Sequence, residues 1–223
     1  MADRRAVLRD SLGFGIAVGA YGLSFGALSV AAGLSVLQTC VLSLAAFTGG
    51  SQFTYVGIVG AGGATGSAVG SALLLGLRNV MYGVRMRPLL GLDGWRRAGA
   101  AQLVIDESTG MALAQPADQP ELARTAFWAT GLAIYGLWNA ATLGGALLGN
   151  AVDPRTLGLD GAEPAAFIVL LWGRLATRSG QRVAALAAVI AVVAGVTLPA
   201  GLAVPIAAVA VLVGGRGRDE APT

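Results

Sequence analysis

From Ser11 to Leu77 the chain carries no Asp, Glu, Lys or Arg. A helix that crosses a bilayer needs about 20 mostly apolar residues, so this stretch alone has room for three. A water-soluble domain would turn a charged face outward every turn or two, and no such face occurs here. Composition agrees: 55% of the 223 residues are hydrophobic and 12% are charged, against about 25% charged in an ordinary soluble domain. The chain reads as one all-α integral membrane domain over residues 1–223, a polytopic bundle of six to eight apolar segments. Residues 1–10 form a cytoplasmic N-terminus, 11–214 the membrane segments and 215–223 a short cytoplasmic tail. Met1–Arg9 before an apolar run resembles the start of a signal peptide. The run continues unbroken and further spans follow, so an uncleaved first helix is expected.

Missing residue types narrow the chemistry. The chain has no histidine, a single cysteine (Cys40), and only arginine among its 15 basic residues. That removes a disulfide framework, His-based metal sites, His-dependent catalysis and a phosphate loop ending in Gly-Lys-Ser/Thr. No cofactor is expected. The net charge of +3 belongs to ends and loops and does not imply nucleic-acid binding.

The apolar segments run Ser11–Leu34, Val36–Gly60, Gly66–Val84, Gly99–Gln115, Thr125–Asn150, Leu159–Ala176 and Val183–Gly214. The last contains Pro199 and Pro205, so it holds two helices or one broken one. Seven full crossings would put the loop with Arg85, Arg87, Arg96 and Arg97 opposite the Arg4/Arg5/Arg9 end, against the positive-inside rule. If Val36–Gly60 and Leu159–Ala176 instead enter and return on one side, almost all arginines become cytoplasmic. Only Arg78 and Arg124 then stay unassigned or outside. That solution makes Ser11–Val84 and Thr125–Ala200 an inverted repeat starting on opposite sides, with Gly99–Gln115 as the connecting helix, a recurrent transporter plan. It places Gly62 and Ala117 in the periplasm, and Gly94 and Ser179 in the cytoplasm. Both topologies remain open at this stage.

Four local patterns carry candidate chemistry, and a fifth serves packing alone. Gly49-Gly50-Ser51-Gln52-Phe53 breaks an uncharged span; Ser51 can cap a restarted helix whose free amides suit a carboxylate, and Gln52 adds donors and acceptors. The same glycines also suit a close helix contact. Arg78 and Tyr82 share a helix face, where Arg78 either snorkels to the headgroups or takes a buried partner. Asp106 and Glu107, mid-way along Gly99–Gln115, could pair with Arg78, seat a substrate ammonium or carry a proton; alternatively they face water at the interface. Glu163-Pro164 reads as a helix start. Glycines at 15/19, 22/26, 62/66/70 and 145/149 form packing ridges.

In these motifs the sequence resembles the AzlC family, the large subunits of branched-chain amino-acid exporters. The markers are Gly-Gly-Ser-Gln-Phe at 49–53, Leu-Arg-Asn-Val-Met-Tyr-Gly at 77–83, Ile-Asp-Glu-Ser at 105–108 and Pro-Ala-Ala-Phe at 164–167. The family pattern favours Ala at Gly50, His at Asn79 and an apolar residue at Glu163. An amide at Asn79 cannot relay a proton. The resemblance implies export of branched-chain or similar neutral amino acids, with a small AzlD-like membrane subunit as partner. We therefore expect a secondary transporter subunit of the cytoplasmic membrane. Its substrate would be bound among Gly49, Gly50, Ser51, Gln52, Arg78, Asn79, Tyr82, Asp106 and Glu107. The alternatives are a permease subunit driven by a separate ATPase, and a membrane enzyme or scaffold. An enzyme is disfavoured because no nucleophile–base pair is recognisable.

Overall fold

A computed structural model of the protein describes residues 4–149 and 175–198, together with 206, 207, 209 and 210. Two long helices pack along each other first: α1 (Arg4–Ala31) and α7 (Pro120–Gly149). Glycine makes this contact possible, because a Cβ on Gly19 would sit 2.7 Å from Leu137 Cβ, and one on Gly149 would sit 2.8 Å from Ala27 Cα. Cβ atoms on Gly26 and Gly145 would press on the carbonyls of Thr142 and Leu23. Small residues let membrane helices approach backbone to backbone. A hydroxyl bond adds to the contact, Thr130 Oγ1 donating to Ser11 Oγ at 2.9 Å. The glycine ridges at 15/19, 22/26 and 145/149 are packed in this way. Gly62 instead occupies a left-handed turn at φ +78°, and Gly66 and Gly70 have open space around them.

Between the two long helices in sequence lie α2 (Val36–Ala45), α3 (Gly49–Gly60), α4 (Thr65–Leu90), α5 (Gly94–Gln102) and α6 (Asp106–Leu113). Ser35 and Gln38 close a reciprocal capping box at the start of α2, and Gly91 ends α4 in the left-handed conformation. The Val36–Gly60 segment is a hairpin of two half-length helices. Phe53 packs on Phe25 and Gly60 lies against Ala32, so α3 runs back outward beside α1. That segment enters and returns at one end of the molecule, as its Gly-Gly pair suggested.

The Gly99–Gln115 segment departs from expectation. Instead of one connecting helix it is interrupted at 103–105, and α6 folds back: Leu103 lies against Gly131, while Met111 packs on Val7, Leu122 and Ala126. A second hairpin, α5–α6, thus enters from the end opposite to the first. The physical reason lies in α7, which runs parallel to α1, with Ser11 beside Thr130 and Ala27 beside Gly149. The segment before α7 must therefore return to the end where α1 begins. Thr125 consequently starts at the same end as α1, not the opposite one, and Ala117 shares that end with Gly94 rather than with Gly62. The inverted repeat drawn between Ser11–Val84 and Thr125–Ala200 does not have this geometry, and its second re-entrant piece, Leu159–Ala176, falls almost wholly outside the described residues.

One correction concerns Arg124. Arg124 donates from Nε to the Leu89 carbonyl at 2.8 Å and pairs with Glu121 at 2.6 Å. It therefore joins Arg4, Arg5, Arg9, Arg85, Arg87, Arg96 and Arg97 at one end of the molecule. At the other end, the turns at 32–35 and 61–64 hold no charged residue. Among the described residues α1, α7 and α8 (Arg178–Thr197) are long and apolar enough to cross a membrane. α4 matches them in length but carries Arg78, Arg85 and Arg87. Its outer face is apolar and open, with Leu73 and Met81 67% and 70% exposed. Such surface belongs in hydrocarbon, and the protein is a helical membrane protein.

Candidate functional site

A helix that stops inside a membrane leaves four carbonyls or four amides without intrahelical partners. At the end of α2 side chains supply the partners. Gln52 Nε2 donates to the Leu42 and Ser43 carbonyls at 3.4 and 3.2 Å. Gln102 Nε2 donates to those of Leu44 and Ala45 at 2.7 and 3.3 Å, and Tyr135 Oη also donates to Leu44. Gln102 ends α5, so these bonds fasten the tip of one hairpin to the tip of the other.

The two helix starts at these tips differ. Thr48 precedes α3 in extended conformation without a side-chain capping bond. Among the described residues, the Gly49, Gly50 and Ser51 amides have no acceptor. α6 begins with Asp106 and Glu107 in its first turn, favourable against the positive end of the helix dipole. Ser108 Oγ accepts from the Ile105 amide at 3.2 Å and donates to the Leu103 carbonyl, which holds the break open.

Both starts face one cavity of about 110 Å³. Its walls are Val18 and Tyr21 near the middle of α1, Phe47, Gly49, Gly50 and Phe53, and Ile134 and Trp138 of α7. Its polar groups are Thr48, Arg78, Asp106 and Glu107. Arg78 pairs with Asp106 at 2.9 Å, each side chain a little over one quarter exposed, and Tyr82 Oη donates to the other Asp106 oxygen at 2.6 Å. Arg78 is therefore a paired cation and not a snorkelling one. Glu107 has no ion pair among the described residues. Trp138, stacked on Phe25 with ring centroids 6.0 Å apart, is buried, and its indole N–H lacks an acceptor among them. Taking roughly 10–15 Å³ per water-sized site, the cavity of about 110 Å³ has room for a solute of roughly seven to eleven non-hydrogen atoms.

Gly49, Gly50, Arg78, Asp106 and Glu107 thus meet at one place, and Tyr82 reaches it through Asp106. Ser51 does not cap α3: the helix starts two residues earlier, and the buried Ser51 hydroxyl has no partner among the described residues. Gln52 points at α2, and Asn79 lines a separate cavity between α4 and α5. Asp106 and Glu107 are not mid-helix but head a new one. Glu163 lies outside the described residues. Trp138, Tyr21 and Gln102 also belong to this site, although no sequence motif marks them. A lone glutamine and a tryptophan within apolar runs were the available signals.

The sequence pattern of the AzlC protein family matches residues 13–152. This range holds both hairpins and the whole cavity lining. No curated protein and no solved structure matches the chain.

Proposed function

The chain belongs to the AzlC family, a transport-associated family of membrane proteins, and from that membership we propose that it exports branched-chain or similar neutral amino acids. It acts as the large subunit of a secondary transporter in the cytoplasmic membrane, beside a small AzlD-like subunit. The observation that carries this reading is the pairing of two unlike helix starts across one small apolar-walled cavity. A zwitterion brings a carboxylate and an ammonium, and neither can be desolvated without a partner. The uncapped amides of Gly49 and Gly50, with the indole N–H of Trp138, suit the carboxylate. Glu107 suits the ammonium, since Asp106 is already engaged by Arg78 and Tyr82. Phe47, Phe53 and Ile134 then leave an apolar space for an aliphatic side chain. The arginine-bearing end lies in the cytoplasm by the positive-inside rule.

Counterflow of labelled valine, leucine, isoleucine and methionine into vesicles containing both subunits tests this directly. Exchange that needs no ATP and is blocked by excess unlabelled leucine is expected. Transport that stops on ATP depletion would favour an ATP-driven permease, and no exchange of any neutral amino acid would reject the assignment. For orientation, cysteines at Gly94 and Ala117 in a Cys40→Ser background should label from one side and a cysteine at Gly62 from the other.

A further inference from the structure

A second cavity, about 450 Å³, lies between the C-terminal half of α4 and α5, apart from the one at the hairpin tips. Two features set its chemistry. Arg87 from α4 and Arg97 from α5 both line it, and neither has an ion pair among the described residues. Val80 and Val84 on one side and Ala101 and Val104 on the other make an apolar wall, and Asn79 adds one amide beyond Val80 at its deep end. Val80 and Val84 are largely exposed, so the groove opens sideways toward lipid and not only toward water.

Depth can be read from the neighbouring residues. Trp95 is 81% exposed, with the Arg96 guanidinium 5.6 Å from its ring centroid. Exposed tryptophan beside arginine marks the headgroup layer of a bilayer. Arg97 follows directly, which sets the two groove arginines at headgroup level. Val80 lies about two turns deeper along α4 than Arg87, about 10 Å at 1.5 Å per residue. The cavity is thus cationic where phosphates lie and apolar where acyl chains begin. A free phosphate would use only the arginines, and a neutral solute only the wall and Asn79.

We propose that this groove binds an anionic phospholipid, its phosphate held between Arg87 and Arg97 and one acyl chain lying along Val84 and Val80 toward Val104. Basic pockets between membrane helices on the cytoplasmic side are suited to such headgroups. The site is independent of which solute the central cavity carries.

Native mass spectrometry of the detergent-purified full chain, titrated with phosphatidylglycerol and with phosphatidylcholine, tests the proposal. Phosphatidylglycerol should bind at least about tenfold tighter. Arg87→Gln/Arg97→Gln should reduce it to the phosphatidylcholine level. Arg85→Gln/Arg96→Gln, which removes as much charge from the same end but outside the groove, should change it less than twofold. No preference in the unmodified chain, or equal losses in the two double variants, overturns the site. Ala101→Trp keeps both arginines but fills the wall. It serves as a second test if the first variant does not fold, and phosphatidylglycerol binding unchanged in it also overturns the proposal. So would competition by inorganic phosphate at the lipid's own concentration, or displacement of the lipid when a partner subunit co-purifies.

Discussion

The α2–α3 and α5–α6 hairpins answer the same problem, a helix restarted inside a membrane, with opposite materials. At the α3 start the backbone is left bare: two glycines, no charge and no capping side chain. At the α6 start the side chains dominate, with two carboxylates, an arginine from α4 and a tyrosine hydroxyl assembled around the first turn. One tip therefore offers fixed dipoles, and the other offers mobile charge. A site built from one of each can distinguish the two ends of a zwitterion, which two copies of either could not.

The largest break in that comparison should come from Arg78→Ala. It leaves Asp106 with only the Tyr82 hydroxyl, and stripping one partner from a buried pair costs about 3–5 kcal/mol. We expect the lower part of that range because each side chain keeps some exposure, with transport lost and thermal stability in detergent clearly reduced. Glu107→Gln comes next. It removes the charge from the proposed ammonium partner but leaves the fold intact, so substrate affinity should fall roughly tenfold to a hundredfold, as for other hydrogen bonds to charged groups. Equilibrium binding of labelled leucine reads this, and unchanged binding would return the role to Asp106.

At the bare tip the effects should be steric and smaller. A Cβ on Gly49 would sit 3.1 Å from Trp138 Cη2. Gly49→Val should therefore push the ring or the carboxylate aside and weaken binding several-fold while the protein still folds. Ser51→Ala should do least. Its hydroxyl caps nothing, so no capping loss of about 1 kcal/mol applies, and transport should stay within twofold. A large effect of Ser51→Ala would mean that the bare tip relies on side chains after all.

How much of this could be read beforehand divides along the same line. The first break was legible because Gly49-Gly50 weakens a helix locally, whatever surrounds it. The Arg78–Asp106 pair was legible because a charge at depth demands a partner and few were on offer. The second break was not legible. Leu103-Val104-Ile105 carries no glycine or proline, and what holds it open is one serine bonded to the local backbone, Ser108, and one long-range tie, Gln102 on the other hairpin. The direction of α7 was equally hidden. It follows from a glycine face meeting another glycine face far away in sequence, and Arg124 reaches the arginine-bearing end only because Gly99–Gln115 turns back.

That long-range pairing has a consequence for how the protein is made. Ser11 waits for Thr130, 119 residues later. At about 5–20 residues per second of synthesis, α1 spends roughly 6–24 seconds in the membrane before its mate is translated. During that time its glycine face lacks the helix it packs against in the finished protein. Whatever receives the nascent chain must shelter that face, and a ribosome stalled before Thr130 would leave an insertion intermediate whose first helix is exposed to quality-control proteolysis.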